Sequence, residues 1–268
     1  MSPQLVGKQV GQLEEHLGVQ LLQRTTRRQS LTEVGRRFYE RAKLILSEME
    51  AAEGLAAETW AIPSGTLRVN APVSFGSTTL ARALPAYMRE NPHVSVDLTL
   101  SNRLVDLIDE GYDVVFRVGE LSDSSLIGRA LAPYRLVLCA APAYLARQSP
   151  IRMPSDLNAH NCLGFAHTKM GRNWTFDGPD GRVTVAVSGP LMADHAEPLL
   201  WASLAGLGVA LLPAEVVRPA LADGGLGELL PDFPLPSHPM HLLHVSDRRL
   251  TPKLRSFVDF AVARFASN

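Results

Sequence analysis

Residues 2–42 read SPQLVGKQVGQLEEHLGVQLLQRTTRRQSLTEVGRRFYERA, and this stretch decides the fold. Ser2-Pro3 opens a helical pattern in which Val6, Val10, Leu13 and Leu17 share one face, and Gly18 stops it. A short apolar run, Val19, Leu21 and Leu22, leads into a polar hairpin candidate carrying Arg24, Arg27 and Arg28 around Thr25-Thr26. Ser30-Leu31-Thr32-Glu33 matches a capping box, in which the Ser hydroxyl takes a backbone N–H and the Glu three residues on returns the bond. A second, long helix is expected from there. Helix, basic hairpin, long helix is the order in which a winged helix-turn-helix ends, and that points to DNA.

Charge is uneven around this stretch. A net charge of −1 argues against a uniformly basic nucleic-acid binder. Yet Arg24 to Lys43 holds seven basic residues against Glu33 and Glu40, and Leu44 to Trp60 carries four Glu and no basic residue. Such a patch is either a footprint for phosphate or a solvated helix face, and the helix–hairpin context favours phosphate. From Glu33 to about Thr59, Val34, Phe38, Ala42, Ile45, Met49, Ala52 and Ala56 recur at helical steps. That stripe packs on the chain's own core or on a second subunit. Ala61-Ile62-Pro63-Ser64-Gly65 then reads as a hinge.

Beyond Gly65 strand and helix patterns alternate. Strands are expected at Thr66–Ala71, Val94–Leu100, Asp113–Val118, Leu136–Ala140, Gly208–Leu212 and His241–Val245, with a hairpin over Trp174–Val187. Helices are expected at Ser77–Arg89, Leu104–Glu110, Glu197–Ala205, Ala214–Leu221 and Lys253–Phe265. This alternation predicts an α/β fold with parallel sheets and right-handed crossovers, and 268 residues suffice for one to three domains. Ligands of such sheets gather at the carboxyl ends of strands. Three polar strand ends qualify: Pro72 to Ser77 with Ser74 and Phe75, Ser101-Asn102-Arg103, and Arg117-Val118-Gly119. Ser74 and Ser77 serve equally well as helix caps. Arg103 and Arg117 suit an acidic or carbonyl-bearing small molecule, or else pair with Asp106, Asp113 or Asp123.

Enzyme signatures are incomplete. His195-Ala196-Glu197 has the His-x-Glu of a zinc deaminase but lacks the Cys-x-x-Cys that completes the metal site. Gly206-Leu207-Gly208 precedes a strand instead of following one, and no nucleophile elbow or phosphate loop occurs. Cys139 and Cys162 lack metal-ligand spacing and read as buried thiols. The chain is therefore expected to be no enzyme and to need no cofactor or metal. No charged-then-apolar leader opens it, and Leu199–Pro213 is too short to span a bilayer, so the cytoplasm is expected and a membrane is not.

The run quoted above resembles the recognition helix, wing and linker helix of LysR-type transcriptional regulators. Leu13-Glu14-Glu15, Leu17-Gly18-Val19, Leu21-Leu22, Arg24-Thr25-Thr26-Arg27 and Leu31-Thr32-Glu33 with Gly35 carry the resemblance, which continues to the C-terminus. It implies a partial winged helix-turn-helix over residues 1–31 and a linker and dimerisation helix with hinge over 32–65. After these come two α/β lobes of a periplasmic-binding-protein-like effector domain, 66–137 plus 240–268 and 138–239. It implies DNA contacts from Ser2, Pro3, Gln4, Lys8 and Gln9 on the helix and from Arg24, Arg27 and Arg28 on the wing. Gly7 stands where many members have Ser, so no contact carries over there. A small effector is implied between the lobes, held by Ser74, Phe75, Ser101, Asn102, Arg103 and Arg117 and, from across, by Phe165, His167, Asp194 and His195. Ala193-Asp194-His195-Ala196 replaces an Asn-rich turn of many members, so the effector is expected to differ. Homodimers or tetramers through the linker helix are the implied assembly. Members carry further helices ahead of the position of Met1, so the reading head is expected to be incomplete. Pairing of a DNA-incompetent effector-binding chain with full-length relatives is the second reading, and a plain solute-binding protein the third.

Overall fold

The computed structural model describes residues 3–24, 29–56, 62–121, 126–166, 171–179, 181–245 and 250–266. The chain divides into two compact units, one with the N-terminal helices and hairpin, the other with two large sheets.

In the first unit, α1 (Pro3–Leu17) ends where Gly18 takes a left-handed φ of 66°, a conformation that suits a residue without Cβ. β1 (Leu22–Arg24) pairs antiparallel with β2 (Gln29–Leu31), Leu22 opposite Leu31; the turn between them lies outside the described residues. The buried Leu21 is gripped by its backbone. Glu14 on α1 accepts the Leu21 and Leu22 N–H groups at 2.7 and 2.8 Å, and the Leu21 carbonyl accepts the Thr32 N–H at 2.9 Å. α2 (Glu33–Ala56) follows, and Gly35 in its first turn lies so close that any Cβ would run into the Leu21 carbonyl. The helix cap corrects the capping-box expectation. Ser30 is committed to the hairpin opposite Gln23, and Thr32 instead accepts the Gly35 N–H at 2.9 Å. The expected continuation of α2 to Thr59 lies outside the described residues.

The second unit begins with β3 (Gly65–Ala71), α3 (Val73–Phe75), a π-helical turn (Gly76–Leu80), α4 (Ala81–Glu90), β4 (Val94–Leu100), β5 (Val114–Val118) and β6 (Leu126–Tyr134). Next come β7 (Leu136–Ala140), α5 (Pro142–Leu145), a 3-10 turn (Pro154–Ala159), β8 (Cys162–Phe165), the β9–β10 hairpin (Asn173–Gly178, Gly181–Ala186) and β11 (Met192–Ala193). The chain closes with α6 (Ala196–Leu204), β12 (Val209–Pro213), α7 (Ala214–Ala222), β13 (Gly227–Glu228), β14 (His238–Val245) and α8 (Pro252–Phe265). One five-stranded sheet runs β4-β3-β5-β14-β6 and the other β11-β8-β12-β7-β13. The chain passes from the first to the second between Tyr134 and Leu136 and returns between Glu228 and His238. Leu136 and Val137, expected at the end of the first lobe, thus start a strand of the second sheet.

Both sheets are mixed, a correction to the expected parallel ones. β3 pairs parallel with β4 and β5, and β12 with β8, but β14 runs antiparallel to β5 and β6, and β12 to β7. The returning passage enters the first sheet from the opposite end, so β14 lies antiparallel to both strands beside it.

Alternation along the strands builds a core on each face. Phe75, Phe116, Phe257 and Phe265 fill one face of the first sheet with Tyr87; Phe75 and Phe116 centroids lie 5.1 Å apart and Tyr87 and Phe257 also 5.1 Å. Each such ring withdraws enough surface from water to contribute about 1.5–3 kcal/mol. The other face, at Val115 and Leu243, is covered by Val105, Leu107 and Tyr112. Their segment was expected to be a helix over Leu104–Glu110 and is turns instead. Asp106 takes the Ile108 and Asp109 N–H groups, each at 2.9 Å, and Glu110 takes that of Asp106 at 3.1 Å, so side chains replace the helical ladder. In the second sheet Cys162 faces the layer of Trp174 and Phe176, whereas Cys139 faces the layer of α6 and α7. Burial pushes both thiols up to about 12, and opposite faces keep them from bridging.

α7 packs against α3 and the π turn, joining elements of the two lobes. Glu215 lies in its first turn with a buried Oε1 that has no hydrogen-bond partner. Burial raises its carboxyl above the ordinary 4.5, against the pull of its own backbone N–H and of Arg218. The folded chain then holds this proton more tightly than the unfolded chain does. Glu215 therefore supports folding below pH 4.5, and that support is lost as pH rises through the raised value. Glu215→Gln is expected to melt a few degrees above the parent at pH 8, the gap shrinking toward pH 4 in thermal unfolding scans; parallel pH profiles would contradict this.

Candidate functional site

A cavity of about 790 Å³ opens between the two sheets of the second unit. All three strand ends picked from sequence meet there: Pro72 and Ser74 after β3, Ser101, Asn102 and Arg103 after β4, and Arg117 with Val118 at the end of β5. Phe165, Ala166, Asp194 and His195 form the facing wall. Phe75 instead turns into the aromatic core against Phe116 and Phe265, as the alternating faces of a short helix require. His167 lies outside the described residues.

Asn102 joins the walls. Its Oδ1 accepts the Val73 N–H at 3.1 Å, capping α3, while its Nδ2 donates to the Asp194 carbonyl at 2.9 Å. His195 Nδ1 stands 3.4 Å from the same amide and 3.8 Å from Asp194 Oδ1. With Asn102 as cap, the nearby hydroxyls turn elsewhere: Ser77 and Thr78 bond back to the Val73 and Ser74 carbonyls at 2.8 and 2.6 Å. Neither is among the residues that line the cavity.

The two arginines part company. Arg103 makes a two-pronged pair with Glu110, its Nη1 donating to Oε1 at 2.8 Å and its Nη2 to Oε2. The pair lowers the Glu110 carboxyl below its usual value and raises the guanidinium, so this charge is already balanced. Glu110 lay outside the acids expected as partners. Arg117 donates to the Val105 carbonyl at 2.8 Å, which leaves its charge uncompensated by that bond.

Asn70, Tyr134, Leu136 and Pro213 also line the cavity and were missed. An Asn among the apolar residues of β3 was the available signal for Asn70; Tyr134 ends β6, a strand that the residue pattern does not reveal. Burial first, then Glu215, raises the Tyr134 phenol far above its usual range, and a bond with Ser74 only partly offsets this. Tyr134 is a neutral hydroxyl at any ordinary pH. Among the described residues no group of three or more His, Cys, Asp or Glu is arranged to hold a metal ion, and no helix is long and apolar enough to cross a membrane.

In the first unit Lys8 and Gln9 are exposed on α1. Pro3 and Gln4 belong to the same helix and Arg24 to β1, though these three side chains lie outside the described set. Ser2, Arg27 and Arg28 lie outside the described residues. Val34, Ile45 and Met49 of the α2 stripe are half or more exposed, and so are Leu44 and Leu46.

Residues 61–266 match the family model of the LysR substrate binding domain, and residues 1–36 that of the bacterial regulatory helix-turn-helix protein, lysR family. The transcriptional regulator CrgA of Neisseria meningitidis serogroup C is 35% identical over 269 residues, spanning 100% of this chain and 90% of that protein. DmlR of Escherichia coli K12 is 33% identical over 269 residues, spanning 100% and 87%. Among solved structures, CrgA of Neisseria meningitidis covers 98% of this chain and 90% of its own, with TM-score 0.70 and 34% identity. The Vibrio cholerae virulence activator AphB, a member of the LTTR protein family, gives TM-score 0.70 at 27% identity, with 98% and 90% covered. With helix and hairpin ahead of a two-sheet cleft, and both family models matched in that order, the chain belongs to the LysR-type transcriptional regulators and is not an enzyme.

Proposed function

We propose that this regulator binds promoter DNA as a dimer or tetramer and is switched in the cytoplasm by a small effector held in the cleft. The cavity carries the reading. Its walls come from both sheets, Ser74, Ser101 and Arg117 on one side and Phe165, Asp194 and His195 on the other, so an occupant bridges them. A ligand that favours one lobe spacing over another shifts the population between them by its difference in affinity, and that shift is the switch.

On the DNA side Gln4 and Gln9 suit bidentate contacts to base edges, Lys8 a guanine or phosphate, and Arg24, Arg27 and Arg28 phosphate or minor-groove contacts. Oligomerisation has separate support in the uncovered stripe on α2. Apolar residues at helical spacing gain by packing on a second helix, and a two-fold protein meets two-fold half-sites.

The test is a fluorescence-anisotropy titration of the chain with the DNA upstream of its own gene and with random DNA, at two salt concentrations. Selective binding of the upstream DNA is expected. Lys8→Ala should weaken binding to both DNAs and lower the salt slope by about one if it neutralises one phosphate. Equal affinity for both DNAs would overturn the promoter reading and leave a chain that acts through relatives. For the assembly, Ile45→Glu combined with Met49→Glu is expected to sediment as a monomer at concentrations where the parent is a dimer. A dimer that survives both charges would remove α2 from the interface.

A further inference from the structure

Asn70 sits near the end of β3, 2% exposed, and its side-chain Nδ2 has no hydrogen-bond partner. It lines the cavity. A buried amide N–H without an acceptor loses its water and gains nothing in return, so such a group is costly unless something else arrives to accept its proton. The neighbours define what that is. Asn70 lies opposite Val115 in the parallel β3–β5 register, and Arg117, two residues further along β5, points to the same face. Arg117 is tethered only to the Val105 carbonyl, and no carboxylate pairs with it among the described residues. Arg103 is balanced by Glu110 and is no rival for an anion. Among the described lining residues Asp194 is the one acid, and its side chain is 72% exposed, which marks it as part of the mouth. Leu100, Val105, Phe116, Leu136 and Phe165 give the wall a broad apolar part.

We propose that Asn70 is the anchor of the cleft and, with Arg117, receives the carboxylate of an acidic effector whose body is apolar. The carboxylate offers acceptors to both donors at once: one oxygen takes the Nδ2 proton, the other faces the guanidinium. The uncharged Tyr134 and Ser74 hydroxyls, which bond each other, also line the cavity and do not repel an anion. Amines find no buried carboxylate among the described lining residues, and neutral alcohols leave the guanidinium unmatched. This assignment rests on the cleft being the effector site, and names the chemistry it selects.

Benzoate and hexanoate serve as probes, with benzyl alcohol and benzylamine as neutral and cationic partners of similar shape. The side-chain amide of Asn70 is followed by nitrogen-15 NMR, its signal assigned by its loss in Asn70→Leu. The acids are expected to shift that signal saturably and to bind Asn70→Leu and Arg117→Gln about tenfold or more weakly, as loss of one charge-assisted bond implies. Asn70→Leu removes the orphaned amide at nearly constant shape, so its unfolding temperature should equal or exceed the parent's. Shifts of other cavity-lining residues without movement of the Asn70 signal would overturn the anchor and leave the effector cleft standing. So would tighter binding of the amine or alcohol. No shift of any cavity-lining signal with any of the four probes would remove the effector reading as well. Should Asn70→Leu fail to fold, Asn70→Asp assigns the signal by the same loss, and Arg117→Gln with the titration of the parent chain decides the matter.

Discussion

A single amide, that of Asn102, joins two other pieces of chain in the effector domain. By accepting the Val73 N–H it fixes the start of the helix that follows β3, and by donating to the Asp194 carbonyl it ties the first sheet's loops to the entry of α6. Both residues of that bridge line the cleft, so the bond runs from one wall to the other. Because Asn102 caps the helix, Ser77 and Thr78 are free to bond within it, and Ser74 is left to pair with Tyr134. Because the bridge is a neutral amide bond and not an ion pair, its net worth is about 1 kcal/mol, small enough for a ligand to outweigh.

The reading segment depends on a constraint of a different kind. Leu21 is held at its backbone by Glu14 from α1 and by Thr32 at the start of α2, and Gly35 keeps the space its carbonyl needs. Glu14 commits its carboxylate to the Leu21 and Leu22 N–H groups and so serves the geometry of this segment. The same bonds set the angle at which the hairpin leaves α1. Hydrogen bonds between side chain and backbone, more than buried apolar area, define this small unit.

Much of this was legible in the residues. The stripes at Val6, Val10, Leu13 and Leu17 and along Glu33–Ala56 announce helices by their 3.6-residue period alone, before any partner covers them, and Val94–Leu100 announces a strand by alternation. β6 did not show because it is an edge strand with most of its residues in solvent, so no alternating pattern is needed to satisfy it. Leu104–Glu110 has helical spacing yet becomes turns, since Asp106 and Glu110 spend their carboxylates on local N–H groups. At the cleft, the strand-end rule found the polar loops. It missed Asn70 and Tyr134, which project from within strands, and it could not tell a spoken-for arginine from a free one. The Arg103–Glu110 pair spans a turn whose shape emerges only on folding.

If the opening of the cleft governs how DNA is engaged, a change at the Asn102 bridge must be felt at the promoter. The direct measurement is DNA bending by energy transfer between dyes at the two ends of a promoter fragment, comparing the parent chain with Asn102→Ala. Asn102 lies in the effector domain, so any effect on the DNA must be transmitted through the protein. A changed end-to-end distance or a displaced binding isotherm for Asn102→Ala is the result expected. Superimposable curves, with both proteins folded and bound, would show that the cleft and the reading segments act independently, and would contradict the switch.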